Sequence, residues 1–71
     1  MAHGSKGSTC SNMKAQRLAA GLSIGDCAKK ANVSDTLIKQ LEDGGNCETH
    51  EAQRIADALG ISLATLGQAA V

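Results

Sequence analysis

The chain has 71 residues with no Pro, Phe, Tyr or Trp, and its seven basic side chains balance seven acidic ones. That length admits one small domain with an economical core, while twelve Ala and zero net charge argue for helix and against a self-repelling disordered tail. With no signal peptide, no apolar run long enough for a membrane span, and three cysteines (Cys10, Cys27, Cys47) matching no zinc or redox spacing, a reducing cytoplasm is the expected setting.

The charges are unevenly placed. Residues 1–39 hold six basic side chains against Asp26 and Asp35, a balance of +4, and residues 40–71 hold Arg54 against five acidic ones, a balance of −4. One basic and one acidic face would follow from such a split.

In chain order, residues 1–8 read as a flexible arm or vector-derived stretch, with Lys6 able to reach a phosphate. A first helix is expected from Thr9 or Asn12 to Ala20, stopped by Gly21. Ser23 then caps a second helix running through Ala31, with Asp26 three residues on in a variant of the capping box and Cys27, Ala28 and Ala31 as its apolar stripe. Asn32 tolerates the left-handed conformation of a tight turn, and Val33 plugs the corner.

Ser34 caps a third helix over residues 35–43, with Asp35 at its positive end, Ile38 and Leu41 inward, and Thr36, Lys39, Gln40 and Asp43 on the other side. Gly44 and Gly45 end it. A fourth helix is expected from Thr49 to Leu59, burying Ala52, Ile55 and Ala56 before Gly60, and Ser62 caps a short fifth one carrying Leu63 and Leu66. Residues 68–71 are expected to fray, leaving a folded domain over residues 9–67. The expected fold is all-α, five compact helices with no strand.

Two short helices joined by a tight turn, the second with one apolar and one polar face, are the layout that places a helix in the major groove of DNA. Arg17, Leu22-Ser23, Ala28, Val33-Ser34, the run from Ile38 to Glu42 ahead of Gly44, and Ile55-Ala56 with Ala58-Leu59-Gly60-Ile61-Ser62 carry a further signal. With them the chain resembles the lambda-repressor-like helix-turn-helix family, the Cro and phage-repressor type, over residues 13–66.

That resemblance implies a sequence-specific transcriptional regulator of double-stranded DNA, acting as a homodimer on a palindromic operator in a prokaryotic or phage-infected cytoplasm. It implies a buried ion pair between Arg17 and Glu42. Base-reading positions fall on Asp35, Thr36, Lys39 and Gln40, with Leu37 at the edge. An amide such as that of Gln40 can donate to N7 and accept from N6 of adenine, Thr36 can meet a thymine methyl, Lys39 can meet guanine or phosphate, and Asp35 can accept from cytosine N4.

Phosphate contacts are expected from Lys14, Arg17, Ser23, Ile24, Gly45 and Asn46, the backbone amides serving where side chains do not. Ile24 stands where the family often has Gln, and the segment from Gly44 to Glu48 has no Lys or Arg. Ile61, Leu63 and Leu66 either complete the core or form a dimer seam, core packing being the safer use for Ile61 and Leu66 and Leu63 the better seam candidate. The alternative function is protein association by the same fold, as an antitoxin, adaptor or regulatory component. Cys47-x-x-His50 offers two ligands, too few to close a zinc site, and no catalytic constellation is visible, so neither metal, cofactor nor enzymatic activity is expected.

Overall fold

The computed structural model describes residues 7–70. Five helices dominate: α1 (Met13–Ala19), α2 (Ile24–Ala31), α3 (Asp35–Glu42), α4 (Thr49–Leu59) and α5 (Leu63–Leu66). Three short strands, β1 (Ser8–Cys10), β2 (Asn46–Cys47) and β3 (Gln68–Ala70), form an antiparallel sheet in the order β2-β1-β3.

Local chemistry explains where the helices start and stop. The Ser23, Ser34 and Ser62 hydroxyls accept from the backbone amides of Asp26, Leu37 and Thr65 at 3.0, 3.1 and 3.1 Å, each pairing a donor that the first helical turn cannot. At α4 the Glu51 carboxylate accepts from the Glu48 amide at 2.9 Å. Asn32 ends α2 at φ 59°, the one non-glycine residue at positive φ among those described, where a short polar side chain is tolerated.

The core forms where α2 packs on both α3 and α4. Met13, Cys27, Ile38, Ile55 and Leu66 are buried there, and small Ala28, Ala52 and Ala56 let the helices approach closely. Close approach takes the place that aromatic side chains fill in larger cores.

The sheet corrects the strand-free expectation. Ser8 and Thr9, assigned above to an arm and to a helix start, pair with Cys47 and Asn46 of β2, and Ser8, Thr9 and Cys10 pair with Ala70, Ala69 and Gln68 of β3. Gln68–Ala70 is therefore a paired strand and not a frayed end. Lys6 and Val71 lie outside the described residues.

A polar knot fixes this sheet to the helices. Ser8 is fully buried, its hydroxyl accepting from Gln68 Nε2 at 2.9 Å and lying 3.1 Å from Thr49 Oγ1 at the start of α4. The Ser11 and Asn12 amides donate to the Gly67 and Leu66 carbonyls, and Asn12 Nδ2 donates to the Thr65 carbonyl at 3.0 Å. Only glycine suits position 67: its φ is +81°, and a Cβ there would collide with Ser11 Oγ and the Asn12 amide.

Candidate nucleic-acid interface

The unit formed by α2, the turn at Asn32-Val33-Ser34 and α3 is anchored from behind by α1. Arg17 is 7% exposed; its Nε donates to Glu42 Oε2 at 2.6 Å, its Nη2 to Glu42 Oε1 at 3.2 Å and its Nη1 to the Leu22 carbonyl at 2.9 Å. Donating to the Glu42 carboxylate holds the guanidinium further into its charged form, outweighing the opposing effect of burial. One side chain thus ties α1 to the end of α3 and to the chain entering α2.

So anchored, α3 turns Ile38 and Leu41 into the core and leaves Asp35, Thr36, Lys39, Gln40 and Asp43 exposed. Leu37 is half-buried and packs against the core, which withdraws it from that polar face. Neither Asp35 nor Lys39 belongs to an ion pair among the described residues, where the pairs are Arg17–Glu42 and the exposed contact of His50 Nδ1 with Glu48 Oε1 at 3.2 Å. Their charges are available to a ligand.

Beside this face lies the start of α2. Ser23 Oγ serves the Asp26 amide and the Ser23 carbonyl takes the Cys27 amide, while the Ile24 and Gly25 amides fall in the first turn, where a helix offers no internal acceptor. Asp35 Oδ2 lies 3.8 Å from the point a Cβ on Gly25 would occupy. The carboxylate of α3 and the amide-bearing end of α2 therefore share one corner. Ile24 is half-buried against the core, and Lys14 is exposed on α1.

Three expected roles are corrected. Arg17 is buried and turned inward, with Nε, Nη1 and Nη2 each donating a bond inside the protein, which withdraws it from a phosphate backbone. The Gly45 amide is likewise spent, donating to the Gln40 carbonyl at 2.7 Å. Leu66 is fully buried, so it packs the core and forms no dimer seam. Ile61 and Leu63 are half-buried with part of their surface in solvent. Asn46 is exposed opposite Thr9 in the ladder.

Two features were missed in the sequence. Asp43 joins Gln40, Gly45 and Asn46 around a polar concavity at the end of α3. Gly45 seals it by necessity, since a Cβ there would lie 2.8 Å from the Gln40 carbonyl oxygen. Gly44-Gly45 signalled a turn, but nothing in the sequence signalled its close return onto Gln40. Among the described residues, Leu18 on α1 is the exposed large hydrophobic side chain, at 58%.

The cysteines are free thiols buried in the core. Burial pushes all three up, Cys47 from 9.0 to about 12 with the neighbouring Cys10 and Glu51 adding to the effect, so they are neutral side chains at ordinary pH. Cys47 is buried while His50 is exposed, and no cluster of three or more His, Cys, Asp or Glu suited to a metal occurs among the described residues.

A serine-capped α2, a left-handed Asn turn and a polar-faced α3 locked to α1 define a helix-turn-helix domain. Residues 13–66 match the helix-turn-helix family model of the lambda-repressor-like, Cro and C1 type, and the chain belongs to that family. It is a family of DNA-binding regulatory domains that bind double-stranded DNA and are not typically enzymes. No curated protein and no solved structure matches the chain. Among the described residues no helix is long and apolar enough to cross a membrane.

Proposed function

We propose that this chain is a sequence-specific transcriptional regulator that lays α3 in the major groove of duplex DNA. The observation that carries this reading is the exposed face of Asp35, Thr36, Lys39 and Gln40 on a helix whose far side is fixed by the Arg17–Glu42 pair. A rigid helix presenting donors and acceptors at three- and four-residue steps is what reading base edges requires. Gln40 is the main reader of adenine; Thr36 meets a thymine methyl, and Lys39 a guanine edge or a phosphate.

Phosphate contacts come from Lys14, from the amides of Ile24 and Gly25 with Ser23 beside them, and from the Asn46 side chain. The protein acts in the cytoplasm of a prokaryotic or phage-infected cell. It works there as a homodimer on a palindromic operator, Leu63 and Ile61 contributing to the seam, so that two domains double the phosphate contacts that a neutral chain supplies sparingly.

A second reading is favoured by the exposed Leu18 and by the acidic Asp43 and Glu48 around a loop without cations: protein association through the same fold, with DNA contact weak. Selection of bound duplexes from a random-sequence library at near-physiological salt separates the two. Enrichment of a palindromic motif supports the regulator, and absence of enrichment supports association with a protein.

A further inference from the structure

We infer that Asp35 is a specificity-determining residue that opposes sequence-independent binding and is tolerated only where a cytosine faces it, an inference that rests on the DNA-binding reading above. Its carboxylate stands at the corner between two kinds of DNA contact. On one side is the polar face of α3, on which Asp35 is exposed; on the other is Gly25 at the start of α2, whose missing side chain leaves the carboxylate oxygen 3.8 Å from the Cβ position.

No side chain at that corner pairs with it. Asp35 has no ion-pair partner among the described residues, Ser23 Oγ is taken by the Asp26 amide, Ile24 has no polar side chain and Gly25 has none at all. A backbone phosphate approaching the Ile24 and Gly25 amides therefore meets a full negative charge. That charge exceeds the roughly half-unit positive charge of the α2 N-terminus, and the α3 N-terminus on which Asp35 sits offsets only part of it.

The repulsion acts on every DNA sequence alike. It is offset only where the carboxylate finds a hydrogen-bond donor on a base edge, and in the major groove the exocyclic N4 of cytosine is the donor suited to a carboxylate. Adenine N6 lies beside the N7 acceptor, which a carboxylate cannot satisfy. Elsewhere the charge is left facing phosphate or base acceptors. Asp35 thus weakens all complexes and restores affinity at one base pair, which is discrimination through repulsion.

The test is a binding titration of wild type, Asp35→Asn and Asp35→Glu against a random-sequence duplex and the library-selected duplex, at about 50 mM and about 200 mM salt. Asp35→Asn is expected to bind the random duplex roughly three- to tenfold tighter at the lower salt, the scale of one unit charge acting across a few ångströms of solvent. The gain shrinks at the higher salt through screening. Preference for cytosine at one position of the selected duplex is lost in Asp35→Asn, whereas Asp35→Glu keeps the low random-duplex affinity. Unchanged random-duplex affinity in Asp35→Asn, with wild type still binding the selected duplex, overturns this inference alone. Failure of all three proteins to bind either duplex overturns the DNA-binding reading with it.

Discussion

Arg17 on α1 and Glu42 on the last turn of α3 grip each other through two hydrogen bonds, Nε to Oε2 at 2.6 Å and Nη2 to Oε1 at 3.2 Å, with their side chains only 9% and 11% exposed. Fork-to-fork geometry and near-complete burial make this pair costly to break from one side, because the remaining partner keeps its desolvation cost without its counter-charge. Arg17→Met or Glu42→Leu alone is expected to destabilise the domain by about 3–5 kcal/mol, and the double variant to recover much of that loss. Chemical denaturation of the three variants checks it. A double variant that loses the sum of the two single losses would show that the pair is not coupled.

Gly45 sets the position of the loop after α3. A Cβ 2.8 Å from the Gln40 carbonyl oxygen meets backbone, which cannot swing away, and it threatens the 2.7 Å bond from the Gly45 amide to that same oxygen. Gly45→Ala is expected to cost about 1–3 kcal/mol, the range of local overpacking, as a lowered midpoint in urea. Exposed Ala15→Ser on α1 serves as the near-neutral comparison.

Ser8 holds the middle strand of the sheet to α4 and β3. Ser8→Val removes the shared partner of Thr49 Oγ1 and Gln68 Nε2, leaving both polar groups to be satisfied elsewhere. A loss of about 1–3 kcal/mol is expected in thermal unfolding, the cost of an unpaired buried polar group. Removal of residues 1–10, which deletes β1 altogether, should lower stability further.

The buried thiols make stability fall at alkaline pH. Cys47 titrates near 9.0 when exposed by unfolding and near about 12 in the folded protein, so between those values the folded state holds a proton that the unfolded state has released. The stability contributed by the neutral thiol is fully present below about pH 9 and is lost as pH rises through about 12. Denaturation midpoints measured across that window should decline, and Cys47→Ala should flatten the decline after its own loss of core packing is subtracted. For the same reason the native protein should react slowly with thiol reagents at neutral pH.

The helices were legible because their signals are local. Ser23 and Ser34 announced starts, Asn32 announced the turn, and the spacing of Ile38 and Leu41 against Thr36, Lys39 and Gln40 separated the core side of α3 from its exposed side. The strands were not legible: segments of two or three residues show no period-two pattern, and Ser8, Thr9 and Cys10 acquire their meaning only from partners far along the chain, at Asn46-Cys47 after α3 and at Gln68–Ala70 after α5. Within the candidate site, side-chain type pointed to the polar face of α3, but which donors are already occupied depends on three dimensions. Arg17 was expected to serve both the Glu42 pair and phosphate, and the Gly45 amide looked free; both are directed inside the protein. Leu66 in a helix of four residues was open to the core or a partner, with the core the safer expectation, and its full burial decides for the core.

The central claim is that α3 reads base edges through Gln40, and it is tested most directly by running Gln40→Ala beside wild type in the selection from random duplexes. The account predicts a palindromic motif for wild type. In the variant it predicts relaxed preference at the adenine position of each half-site, a loss of about 1–3 kcal/mol there and unchanged binding to random DNA. Identical motifs from both proteins, or no motif from wild type, would contradict it.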